Sequence, residues 1–322
     1  MARKVKISNM SISPAPVDLN LRSRDLVGRV IDYLDLKLQS VLPEKPDLIV
    51  LPENCDRPGS PGSLIPGQSY LGEKRSDYFE ARGSRVLDFF REQAFLNKSY
   101  IAYSSLTRDG QDHWRNATLL IDRTGQVAGK YYKNHLVIGE NSENSILYGT
   151  EAPVIGCDFG TVACAICFDL NFTELLSRYA VLHPDIILFS SSYHGGLMQS
   201  YWAYACRAHF VGAIGGKGRR GSVISPVGTQ IASTSDYMDC VTATVNLDCC
   251  VVHLDGNYPR FADMKEKYGD GVSIQIPEYL GPALITSNID NMSVGDIVSE
   301  FGLELLDDYL ERSRRHRREN TG

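Results

Sequence analysis

The spacing of apolar positions switches repeatedly between strand-like and helix-like along the chain. Residues 4–11 read as a first strand. In residues 25–42 the apolar positions Leu26, Val30, Leu34 and Leu38 fall at helical spacing. Leu48-Ile49-Val50-Leu51, flanked by Pro46 and Pro52, is a short continuous apolar run of the kind buried on both faces of a sheet. Residues 76–95 predict one helix with Val86, Phe89, Phe90 and Phe95 turned inward. Strands are expected at 100–106, 116–122 and 126–132, with Thr124-Gly125 as the turn between the last two. A buried strand at 162–166 leads into a helix at 171–182, and a strand at 185–190 leads into a helix at 199–210. Residues 221–225 and 230–233 form a hairpin around Val227-Gly228. Residues 240–247 alternate as a further strand through Val241, Ala243, Val245 and Leu247.

Hairpins are thus mixed with strand–helix–strand units. This predicts an α/β chain with mixed rather than purely parallel sheets. No Pro/Gly/Ser-rich linker or internal repeat divides it, but the texture changes late. Residues 1–275 are expected to form the main domain and 276–322 a C-terminal extension. In that extension, residues 293–312 place Val294, Ile297, Phe301, Leu305 and Leu306 on an amphipathic helix. Arg312, Arg314, Arg315, Arg317 and Arg318 follow as a frayed tail whose charge suits a helix C-terminus.

Composition narrows the classes. The 322 residues include 33 basic and 39 acidic side chains, a net charge of −6. A dedicated nucleic-acid binder needs a basic face, so no nucleic-acid partner is expected. No run reaches the ~20 apolar residues that span a bilayer, and Ser8, Asn9, Ser11 and Ser13 interrupt the start. A cytoplasmic protein with no membrane association is expected, its eight cysteines reduced.

Three local patterns lack their context. Gly216-Lys217-Gly218-Arg219-Arg220-Gly221 has the spacing of a dinucleotide loop, but a strand follows where a phosphate-binding helix should begin. Cys164 and Cys167 are three apart in an extended segment, so their sulfurs face opposite ways. Cys249-Cys250 with His253 has no second ligand pair at finger spacing. No metal and no cofactor are expected.

Cys167 differs from the other cysteines. The apolar run Val162-Ala163-Cys164-Ala165-Ile166 stops at it, and a polar turn and a helix follow. A nucleophile on such a turn is exposed and can borrow backbone N–H groups, and a nearby helix N-terminus favours its thiolate. Glu53 closes the apolar strand that ends Leu51-Pro52-Glu53. Lys133 closes another, in Tyr132-Lys133-Asn134-His135-Leu136. With Ile166-Cys167-Phe168-Asp169-Leu170-Asn171-Phe172-Thr173-Glu174-Leu175, the Ser190-Ser191-Ser192 strand end and Cys206-Arg207-Ala208, the chain up to about residue 260 resembles the nitrilase or carbon–nitrogen hydrolase superfamily. Cys167-Phe168-Asp169, where nitrile-cleaving members tend to have Cys-Trp-Glu, is similar to the amidase and carbamoylase branches.

The resemblance implies a four-layer α-β-β-α sandwich with mixed sheets, and association as a homodimer or larger homo-oligomer. It implies Cys167 as nucleophile, Glu53 as general base, and Lys133 with the Phe168 N–H as oxyanion stabilisers. Glu143, rather than Glu140, is expected as the second glutamate, from its distance to His135 and Gly149. Tyr193 and His194 are candidates for lining the pocket with Phe168, although a hydrogen-bonded loop role suits His194 equally. The expected reaction is hydrolysis of a linear, non-peptide amide through a thioester acyl-enzyme. An N-carbamoyl compound is the alternative substrate and a nitrile a third. An amine acceptor would make the chain a transferase, and a catalytically idle scaffold is the contrasting class.

Overall fold

A computed structural model describes residues 2–59, 75–216, 218–278 and 280–321, with the Arg75 side chain outside the description. Two six-stranded sheets carry the fold. The first runs in the order Cys240–Asn246, Lys4–Met10, Leu48–Val50, Tyr100–Arg108, Trp114–Ile121, Val127–Tyr132. Its inner strands Lys4–Met10, Leu48–Val50 and Tyr100–Arg108 are parallel, and the flanking pairs are antiparallel. The second runs Gln230–Ser233, Ser222–Ile224, His209–Ile214, Ile186–Ser191, Gly160–Ile166, Val154–Cys157, again with a parallel centre. The continuous apolar runs read from the sequence are these central strands, covered on both faces.

Helices α1 (Ser23–Leu38), α2 (Arg75–Arg82) and α3 (Arg85–Asn97) cover the outer face of the first sheet. Leu26, Val30, Leu34 and Leu38 of α1 are fully buried there, each contributing about 1.5–3 kcal/mol of transfer free energy. A short helix α4 (Ile138–Ser142) follows the first sheet's last strand. Helices α5 (Thr173–Leu182) and α6 (Met198–Cys206) cover the second sheet. Between the sheets, Val5, Ile7, Leu48, Val50 and Leu120 share one core with Val162, Ile166, Ile186 and Leu188. The layer order is therefore the α-β-β-α sandwich that the sequence resemblance implies.

A smaller unit follows. Strands Cys249–His253, Pro282–Ser287 and Val272–Gln275 form a third sheet, packed with α7 (Arg260–Tyr268), α8 (Val294–Phe301) and α9 (Leu306–Asn320). Val252, Phe261, Met264, Ile285 and Ile297 make its core. The boundary expected at residue 276 falls between two strands of this sheet, whose first strand starts at Cys249. Arg207, just beyond α6, pairs with Asp307 of α9 at 3.0 Å and ties this unit to the second sheet's outer layer.

Three helix expectations change. The single helix expected at 76–95 is broken between α2 and α3, where Gly83 takes φ +46°. Phe95 is half exposed rather than inward, with the Lys98 ammonium 4.0 Å over its ring. The helix expected at 199–210 stops at Cys206, because Arg207 turns left-handed (φ +55°) and His209–Ile214 becomes an inner strand. The C-terminal helix expected at 293–312 divides at Gly302 (φ +57°), and α9 then runs through the arginines instead of fraying. Arg312 bonds Glu304 just before that helix, and Arg314 and Arg318 bond Glu311 along it. No helix of the described residues is long and apolar enough to cross a membrane.

Candidate active site

Three strands from two sheets end at one place. Leu48–Val50 ends in Leu51-Pro52-Glu53, and residues 53–56 turn tightly, with Asn54 at φ +51°. Val127–Tyr132 delivers Lys133. From the opposite sheet, Gly160–Ile166 delivers Cys167 into a short 3-10 turn, Cys167–Asn171. Cys167 itself takes φ +48°, a left-handed conformation that costs a non-glycine residue about 1–3 kcal/mol. That turn is held by Asp169, which is wholly buried. Its Oδ2 accepts from the Ile166 N–H at 2.9 Å and the Tyr131 hydroxyl at 2.7 Å, and its Oδ1 accepts from the His135 N–H at 2.8 Å. One carboxylate thus fastens the cysteine's turn to the segment carrying Lys133.

Lys133 sits at the centre. Its Nζ donates to Glu53 Oε1 at 3.0 Å and to Glu140 Oε2 at 2.7 Å. The Lys133 and Glu53 side chains are 1% and 5% exposed. Asn116, from the middle of the first sheet, donates from Nδ2 to Glu53 Oε1 (2.8 Å) and Glu140 Oε1 (2.9 Å). The Ser192 N–H, at the end of strand Ile186–Ser191, reaches Glu53 Oε2 at 3.2 Å. Both carboxylates are fixed by donors on more than one side, so the pair holds its geometry without solvent.

The electrostatics assign protons. Burial pushes the Glu53 carboxyl up, but the Lys133 ammonium and the bonds from Lys133, Asn116 and Ser192 hold it below its ordinary value. Burial also opposes the Lys133 charge, yet Glu53, Cys167 and Glu140 keep it above its ordinary value. Burial, reinforced by the Glu53 charge, pushes the Cys167 thiol up to about 12, against the pull of Lys133 and bonds with Ser191 and Ser192. The thiol rather than the thiolate is therefore favoured at rest, because burial and the Glu53 charge outweigh Lys133 and the two serine bonds. The resting site holds carboxylate, ammonium and neutral thiol. That set can move a proton from sulfur to carboxylate as an electrophile is attacked.

The sequence-predicted residues fare differently. Glu53, Lys133 and Cys167 are brought together. Glu143 is exposed at the end of α4; Glu140, one turn earlier, is the glutamate on Lys133. The reason is local: the Val137 N–H binds Glu140 Oε2 at 2.9 Å and aims that side chain inward. Phe168 lies beside the cysteine with its ring partly exposed and against Phe172, and Asn171 links the Phe168 carbonyl to the Tyr193 hydroxyl. His194 is exposed and accepts from the Gly196 N–H at 3.1 Å, within its own loop. Asn116 and Asp169 have positions that no spacing argument singled out; the only signal was a polar side chain in an otherwise buried segment. Glu140→Gln is expected to lower turnover by about tenfold or more, because Lys133 loses the carboxylate that holds its ammonium in place and small displacements at a reacting centre cost up to ~10²-fold, whereas Glu143→Gln stays near wild type. Steady-state rates of the two variants measured side by side decide the point.

A model of the carbon–nitrogen hydrolase family matches residues 25–214, more than half of the chain. The chain is 25% identical over 227 residues to the nitrilase and fragile histidine triad fusion protein NitFhit of Drosophila melanogaster, covering 62% of this chain and 46% of that one. It is 22% identical over 179 residues to a deaminated glutathione amidase of Dictyostelium discoideum, covering 51% and 59% respectively. The match thus spans about half the length of these two relatives. In structure it resembles Nit3 of Saccharomyces cerevisiae, a member of branch 10 of the nitrilase superfamily, with a TM-score of 0.60 at 17% identity over 76% of this chain and 90% of that one. The chain belongs to the carbon–nitrogen hydrolase family.

Proposed function

We propose that the chain hydrolyses the carbon–nitrogen bond of a linear, non-peptide amide, with Cys167 as nucleophile. The observation that carries this reading is the buried Lys133 ammonium held between Glu53 and Glu140 at the strand end that faces Cys167. Glu53 takes the thiol proton as sulfur attacks the carbonyl carbon. The oxyanion forms against Lys133 and the Phe168 N–H, where a fixed donor contributes about 3–4 kcal/mol. The proton passes to the leaving nitrogen, the C–N bond breaks, and ammonia or an amine departs from a thioester. Glu53 then takes a proton from water, which releases the acid and restores the thiol. Glu140 holds Lys133 in place throughout. The amide reading is supported by the amidase name of a relative and by the small polar groups, Asn171 and Tyr193, beside the nucleophile.

The test is ammonia release from the purified protein, with Cys167→Ala as control. The panel holds short aliphatic amides, ω-amides of dicarboxylic acids, N-carbamoyl amino acids and nitriles. The expected result is Cys167-dependent ammonia from an amide with one equivalent of free acid. Carbon dioxide and ammonia in equal amounts from a carbamoyl compound would replace the amide reading. Ammonia release that survives Cys167→Ala would overturn the mechanism.

A further inference from the structure

The turn that carries Glu53 also holds a second buried ion pair. The Asp56 and Arg82 side chains are 1% and 8% exposed and meet at 2.7 Å. Asp56 is three residues from Glu53, in the same turn. Its Oδ2 also accepts from the Tyr103 hydroxyl (2.6 Å) and the Ser105 hydroxyl (2.7 Å), and its carbonyl accepts from the Tyr78 hydroxyl. The neighbouring Cys55 N–H binds the Ser104 carbonyl at 3.2 Å. Arg82, at the end of α2, spends its fork on both turn and sheet: Nη1 binds Asp56 and Ser105, and Nη2 binds the Leu106 carbonyl, all at 2.7 Å.

From this we infer that Arg82, through Asp56, is a positioning residue for Glu53: it fixes the distance between the turn and the sheet, and so the contact between Glu53 and Lys133. The inference rests on the reading of Glu53 as the base. A buried ion pair is a poor source of stability but a specific one of geometry, and a lysine cannot copy a fork that holds turn and strand at once. Asn54, one residue after Glu53, has a left-handed backbone, which asparagine tolerates better than most residues, so the turn is locally allowed and its distance to the sheet is left to the contacts of Asp56. A cavity of about 380 Å³ opens beside Arg82, lined by Phe79, Tyr103, Ser105, Leu106 and Trp114. It leaves room for a small cation to enter when the side chain is removed.

The test uses p-nitrophenyl acetate, whose acetyl group loads and leaves Cys167 by the same two steps, with Cys167→Ala as the background. Arg82→Lys is expected to fold, with an unchanged circular dichroism spectrum. Its kcat should fall by about tenfold or more with KM little changed, since small displacements of a reacting group cost up to ~10²-fold. The acid limb of its kcat profile should move to higher pH, because a Glu53 carboxylate loosened from Lys133 loses the charge that holds it low. Arg82→Ala should be rescued by added guanidinium and not by sodium chloride at the same concentration. If Arg82→Ala does not fold, Arg82→Lys decides. A folded Arg82→Lys with wild-type kcat and an unmoved acid limb overturns the inference. If Glu53→Gln also keeps wild-type turnover, the base assignment falls and this inference with it; if only Arg82→Lys does, this inference alone falls.

Discussion

Cys167→Ala is expected to lower turnover by on the order of 10⁴-fold or more, and adding Glu53→Gln to it is expected to cost almost nothing further. Groups that act as one unit lose their joint effect when any member goes. Glu53 has no proton to take once the sulfur is absent, so the second change removes nothing. Rates of the two single variants and the double variant complete the cycle. Two losses that multiply would show that Glu53 and Cys167 act independently, and the proposed proton transfer between them would be wrong. The folded state should survive both changes. Cys167 contributes little core volume, and a Gln at 53 keeps the side-chain length and one carbonyl oxygen that can still accept from Asn116, while its amide NH2 gives up the bond from the Ser192 N–H.

Lys133→Met should have the largest effect on stability and nearly as large an effect on rate. Removing one partner of a buried pair leaves the other charge uncompensated, at a cost of about 3–5 kcal/mol. On the proposed mechanism the same change removes the cation that faces the oxyanion, worth about 10²–10³-fold in rate for one donor. The stability loss carries a pH signature. In the wild type Glu53 is held below its ordinary value, so its contribution is full above the unfolded carboxylate value and is lost as pH falls through the lower folded one. Lys133 is held above its ordinary 10.5, so its contribution is full below that value and is lost only as pH rises through the higher folded one. The pair is therefore intact across the neutral range. In Lys133→Met, burial of Glu53 acts without its cation and raises the folded value above the unfolded one. The deficit relative to wild type should then be greatest at neutral pH and shrink in mild acid. Urea unfolding in neutral and mildly acidic buffer measures it, and a deficit independent of pH would mean that Lys133 does not set the ionisation of Glu53.

The parts of the fold legible in the sequence are those with a single dominant signal. The apolar runs ending at Glu53 and Cys167 marked two strand ends, because a buried strand must stop where polarity begins. The α1 stripe from Leu26 to Leu38 was equally plain. Elsewhere two signals competed. Gly83 and Gly302 are breakers inside runs that otherwise keep helical spacing, and the spacing argument passed over them. His209–Ile214 continues the apolar content of α6, and the turn between them is made by Arg207, a residue with no intrinsic preference for it. The third sheet comes from short strands spread over 39 residues, from Cys249 to Ser287, and its first strand pairs non-locally with Pro282–Ser287. At the site, sequence order located Glu53, Lys133 and Cys167 as strand ends. The choice between Glu140 and Glu143 depends on one backbone N–H at Val137, which spacing cannot reveal. Asn116 was hidden because its two partners come from a turn and a short helix far apart in sequence.

Glu53 and Lys133 hang from one sheet and Cys167 from the other, and this split has a consequence during synthesis. A chain in which only one sheet has formed holds either a thiol without its base or a base without its thiol. Neither half is a reagent by itself. On the proposed mechanism, reactivity therefore requires the docking of sheet on sheet, and it vanishes when the layers part. The appearance of cysteine-dependent turnover after dilution from denaturant would serve as a clock for that docking, separate from the recovery of helix and strand.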